Sequence, residues 1–139
     1  YPVLVGAGHP FREGGHIPEL PEELLRRFDF LDLNGKDIAA DREETERKTY
    51  ELARRLRIPV VAGSDTHQAV QYGCIRTRFE KEFGTVEEMR AEMKKGGYEI
   101  VVSDYASFQV RTAGLLKRAL KEIHAIGGDY VHVLLQGAE

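Results

Sequence analysis

Short apolar runs alternate along this chain with segments bearing helix-start and helix-stop signals, and that alternation confines it to a small set of α/β architectures. The runs are Val3 to Ala7, Phe28 to Leu33, Ile58 to Ala62, Tyr98 to Val102 and Tyr130 to Leu135. Between them, Pro21 to Arg27 begins with Pro and Glu, which suit a first helical turn. Asp41 and Glu44 have capping-box spacing at the head of a longer helix, whose Leu52, Ala53 and Leu56 share one stripe before Pro59 stops it. Thr85 and Glu88 repeat the device, Met89 and Met93 lie one turn apart, and Gly96-Gly97 ends that helix. A last helix, starting at Ala106 or Ala113 and running to Ile126, sets Leu116, Leu120 and Ile123 on one face. The order predicts a parallel sheet with alternating helices. Two stretches, Gly8 to Leu20 and His67 to Phe83, read as loops that each follow a buried strand.

The ends of those strands are where chemistry is expected in a parallel α/β fold. Gly63-Ser64-Asp65-Thr66-His67 follows the run Ile58 to Ala62, so Asp65 and His67 stand just past a strand's carboxyl end. A carboxylate and an imidazole two residues apart offer a hard oxygen and a nitrogen, a pairing suited to Zn, Mn or Fe. The same two residues also suit a helix cap and a packed ring, and the dipeptide alone does not choose. If the loops after the first and third strands overlie one sheet edge, His9, Asp65 and His67 come within reach of each other.

The 139 residues are one domain's worth, with 31% charged and 42% hydrophobic residues and no run approaching a transmembrane span. A formal net charge of -3 argues against a nucleic-acid protein that works mainly by neutralising phosphates. Cys74 is the only cysteine, so no intrachain disulfide forms, and a reducing, cytoplasmic setting is expected. The strand-like start at Tyr1 without an initiating Met favours a fragment of a longer chain.

Gly8-His9-Pro10, Asp32-Leu33-Asn34-Gly35 and Gly63-Ser64-Asp65-Thr66-His67, each at a strand end, resemble the C-terminal part of a PHP (polymerase and histidinol phosphatase) domain. The resemblance covers about residues 1–105, with 106–139 expected as a terminal helix and strand packing on the same domain. It implies the C-terminal portion of a distorted TIM-like (β/α)7 barrel with divalent metals, Zn, Mn or Fe, at the carboxyl ends of its strands. It further implies His9, Asp65 and His67 as metal ligands, and a metal-dependent phosphoesterase acting on a phosphorylated small molecule or nucleotide. Asp65 and Arg12 are then the candidate catalytic residues, Arg12 because a planar guanidinium binds two phosphate oxygens at once.

The sequence also departs from the family. PHP domains open with His-x-His, and the five histidines here, His9, His16, His67, His124 and His132, include no such pair. About one ligand per metal remains, where a zinc site takes three or four, so the chain alone is expected to bind none. It is then a severed domain, one half of a split or swapped assembly (a homo-oligomer or a chain lacking its N-terminal half), or a noncatalytic scaffold with a decayed metal site. An amidohydrolase-type barrel is a further alternative. Of the remaining candidates, His16 and Asn34 read better as turn residues, Cys74 as an apolar filler, and Gln71 and Tyr72 as pocket rim. Arg111, Lys117, Arg118 and Lys121 give the last helix a basic flank, most simply a solvated face.

Overall fold

A computed structural model describes residues 2–128. The strand expected at Tyr130 to Leu135, with His132, lies outside the described residues. Three strands, β1 (Gly6–Ala7), β2 (Phe30–Asn34) and β3 (Val60–Gly63), form a parallel sheet in the order β1-β2-β3. Ala7 sits opposite Leu31, Leu31 opposite Val60 and Asn34 opposite Gly63. Leu31 and Leu33 are both 0% exposed, and each such burial stabilises by about 2 kcal/mol. The period of two then turns Asp32 and Asn34 away from that core.

The α1 turn (Glu22–Leu25) precedes β2, and α2 (Gly35–Ala40) and α3 (Arg42–Leu56) follow it. On α3 the expected stripe is buried as Leu52, Ala53 and Leu56. Only half of its capping box forms: Asp41 accepts from the Glu44 N–H at 3.0 Å, while the Glu44 carboxylate is held by Arg47 and Lys48. In α4 (Val86–Lys95) both halves of the Thr85/Glu88 box are made, and Gly96 closes the helix with φ 75, a left-handed conformation that a side chain would strain.

Two sets of expectations are corrected here, the first on the strands and the second on the last helix. The stretch read as a loop from His67 to Phe83 contains β4 (Ile75–Phe79), and β5 (Tyr98–Val102) pairs with it antiparallel instead of joining the parallel sheet. The signal is the period-two burial of Ile75-Arg76-Thr77-Arg78-Phe79, masked in the sequence by two arginines. No barrel closes among the described residues; the strands form one sheet of three and one of two. The free edge of β3 is met by side chains. The Thr77 hydroxyl accepts from the Ala62 N–H at 2.7 Å and donates to its carbonyl at 3.1 Å, and the Tyr98 hydroxyl donates to the Val60 carbonyl at 2.6 Å.

The second correction concerns α5 (Ala106–Ala125). The face expected to bury is turned outward, with Leu116 44% and Ile123 40% exposed. Packed inward instead are Ala106, Val110 and Ala113. Their small side chains let the helix approach α2 and the 3-10 turn Ala69–Gln71 closely. No helix among the described residues is long and apolar enough to cross a membrane.

Asp29 ties the chain's beginning to α4. Its carboxylate accepts from the Val5 N–H at 2.9 Å and from the Arg90 Nε at 2.9 Å. Burial pushes its carboxyl upward, but those two donors outweigh burial and hold it below the ordinary 3.8. The folded state therefore prefers the ionised form, so the stabilisation is complete above pH 3.8 and is lost as pH falls through the lower folded value. In urea denaturation across pH 2 to 7, Asp29→Asn is expected to flatten this acid limb; an unchanged acid limb would contradict the assignment.

Candidate functional site

The carboxyl edge of the parallel sheet carries the residues singled out in the sequence, together with two acids not singled out there. Arg12, in the loop after β1, reaches across the edge. Its Nε donates to Asp37 Oδ1 at 3.0 Å, Nη1 to Asp65 Oδ2 at 3.1 Å and Nη2 to Asn34 Oδ1 at 2.6 Å. One guanidinium thus joins the loops after all three parallel strands, and with 22% of its side chain exposed it is only partly hydrated. Asn34 is not the left-handed turn residue expected. It is the N-cap of α2 with φ -80, and its side chain accepts from the Lys36 N–H at 2.9 Å. Gly35, next to it, has no room for a side chain: a Cβ would lie 2.7 Å from Cys74 Sγ and 3.2 Å from the Ser64 carbonyl.

The loop from Ser64 to His67 is held by Gln71. Its Nε2 donates to the Ser64 and Asp65 carbonyls at 2.7 and 2.9 Å, and its Oε1 accepts from the His67 N–H at 3.3 Å. Gln71 is 5% exposed, so it acts as a buried clamp while also lining a cleft beside α5. The clamp supports an unusual backbone, because Asp65 has φ 50, a left-handed conformation costing a residue with a Cβ about 1 kcal/mol. His67 Nδ1 lies 2.8 Å from the Asp65 carbonyl. A carbonyl only accepts, so Nδ1 carries the proton, and in the neutral ring Nε2 keeps its lone pair.

His9 is exposed, also with positive φ (37), and its N–H donates to Asp32 Oδ2 at 3.3 Å. Among the described residues no hydrogen bond or ion pair joins its ring to Asp65 or His67. His16 lies off the edge, paired with Glu19 at 3.1 Å. Cys74 is 0% exposed, and burial pushes its thiol up, as suits an apolar filler. Asp32 and Asp37 are the acids not singled out in the sequence. Burial pushes the Asp32 carboxyl up, against the hydrogen bonds from Asn34 Nδ2 and the His9 N–H, with Asp65 adding to the rise. The signal for Asp32 was its alternation with Leu31 and Leu33, and for Asp37 its place three residues after an N-cap.

The donor set does not fit the metals the resemblance implies. Asp65 and His67 are ligand types, but the Asp65 carboxylate is engaged by Arg12. Among the described residues no three His, Cys, Asp or Glu side chains converge as a metal site needs.

With this geometry, the class defined is an α/β protein with a parallel sheet and chemistry-type residues at its carboxyl edge. Residues 43–98 match PHP_C, the PHP-associated family. The matched segment runs from α3 to the start of β5 and includes Asp65 and His67. No curated protein matches the chain. Among solved structures it is similar to the crystal structure of PsfC from Pseudomonas syringae PB-5123, with a TM-score of 0.64 and 21% identity over 83% of this chain and 45% of that chain. The chain thus spans less than half the length of PsfC, and at that identity the likeness is one of fold.

Arg12→Met leaves Asp37 and Asp65 facing each other with no cation between them. It is expected to cost about 2 to 3 kcal/mol in urea denaturation. Adding Asp65→Asn should recover part of that loss, and a double variant no more stable than the single one would refute the coupling.

Proposed function

We propose that this chain is a noncatalytic interaction module on a PHP-type α/β frame, with its metal edge decayed. The observation that carries this reading is the Arg12 guanidinium between Asp37, Asn34 and Asp65. A fixed cation there neutralises the carboxylate that a metal would use, and repels a second cation. The reading also agrees with the lack of a convergent donor triad among the described residues. After chelation and reconstitution with Mn or Zn, the purified chain is expected to retain less than stoichiometric metal by elemental analysis, with an unchanged melting temperature. One tightly held ion per chain, with a raised melting temperature, would overturn it.

A second reading is favoured by Asp65 itself, since a left-handed backbone at a residue with a Cβ is costly to keep at a strand end without use. In it, this chain is the C-terminal portion of a TIM-like (β/α)7 barrel in a longer metal-dependent phosphoesterase. His9, Asp65 and His67 are then ligands, other donors come from beyond the described residues, and Arg12 is a phosphate contact. Hydrolysis of a simple phosphoester by such a longer protein, abolished by Asp65→Ala, would favour this reading; full activity in that variant would remove it.

A further inference from the structure

Two clefts of about 230 and 250 Å³ lie end to end along α5 and share Lys117. The first runs between α5, the start of α2 and the loop held by Gln71, with Lys36 on one wall and Val110 and Gly114 on the other. The second continues past Leu120 and Lys121. A Cβ built on Gly114 would meet nothing within 4 Å, so the wall is open where a mid-helix glycine costs helix stability. Elsewhere on this surface lysines are commonly paired, as Lys48, Lys81 and Lys95 are with Glu44 and Glu92. Lys36, Lys117 and Lys121 form no ion pair among the described residues, although the chain carries 23 acids against 20 Lys and Arg.

We propose that this groove binds an acidic, extended peptide segment of a partner protein. Lys117 and Lys121 are one helical turn apart, a rise of about 6 Å. Alternate side chains of an extended strand are spaced about 6.6 Å apart. Carboxylates at every second position of such a segment therefore match the spacing of the two ammonium groups, and Lys36 lines the same first cleft as Lys117. Nucleic acid fits less well. The groove has no Phe, Tyr or Trp among its lining residues on which bases would stack.

The proposal rests on the interaction-module reading and is tested separately from it. A fluorescein-labelled peptide of about six residues alternating Asp and Leu is titrated with the full chain at about 50 mM salt, where surface charges are weakly screened. Its basic counterpart alternating Lys and Leu, and a short single-stranded DNA, are titrated in parallel. Saturable binding of the acidic peptide alone is expected, weakened about tenfold in Lys117→Ala/Lys121→Ala and unchanged in Arg118→Ala, which lies off the groove. Both lysines are exposed and form no ion pair among the described residues, so the double variant should melt as the parent does. Absent peptide binding, binding unaffected by the double variant, or tighter binding of DNA through the same lysines would each overturn the proposal. So would self-association that the double variant abolishes, since the occupant would then be a second copy of the chain. Stoichiometric tight metal would instead strike the module reading, whatever the peptide does.

Discussion

The carboxyl edge of this sheet depends on one guanidinium. Asp37 and Asp65 are both partly buried, and two carboxylates facing one another there would drive the loops apart were Arg12 not between them. Because Arg12 comes from the loop after β1, Asp37 from the helix after β2 and Asp65 from the loop after β3, the interaction also fixes how three crossovers meet. Asp32, one step further in, has no cation of its own. It relies on the Asn34 amide and the His9 N–H, and its carboxyl is correspondingly pushed up by burial. Among the described residues, Arg12 is the counterion that Asp37 and Asp65 share.

A second constraint sets where the sheet stops. In a parallel barrel the outer edge of β3 would pair with a further strand. Here the Ala62 N–H and carbonyl and the Val60 carbonyl are met by the Thr77 and Tyr98 hydroxyls, which bring the antiparallel β4-β5 pair alongside without a backbone ladder. Hydrogen-bonding demand at a buried edge is satisfied by side chains, and the parallel order ends. That arrangement still leaves the loop from Ser64 to His67 over the sheet edge, clamped by Gln71 from the connection to β4.

The two functional readings draw on the same atoms in opposite ways. A ligand carboxylate turns its oxygens to a metal, whereas here Asp65 Oδ2 accepts a fixed hydrogen bond from Arg12. Asp65 keeps the backbone of a presented carboxylate and the partners of a structural one. The interaction-module reading gives weight to the partners, and it turns attention from the edge to the groove along α5, where Lys36, Lys117 and Lys121 form no ion pair among the described residues.

Sequence by itself determined the element types whose reasons are local. The N-cap at Asp41, the box at Thr85, the stop at Gly96, the stripe of Leu52, Ala53 and Leu56, and the strand end that presents Asp65 and His67 all follow from periodicity, caps and backbone preference acting over a few residues. Only the tertiary structure decided the rest. β4 was hidden because arginines occupy its solvent face, so its alternation has meaning only once β5 lies beside it. The buried face of α5 runs through Ala106, Val110 and Ala113 and not through its leucines, because the space above α2 and Gln71 rewards close approach over apolar volume. Arg12 reads in the sequence as a phosphate contact, and its partners, 22 to 53 residues away, become visible only when three strand ends meet. Long-range charge pairing leaves no local pattern, which is why Arg12 stood out in the sequence and the partners it joins did not.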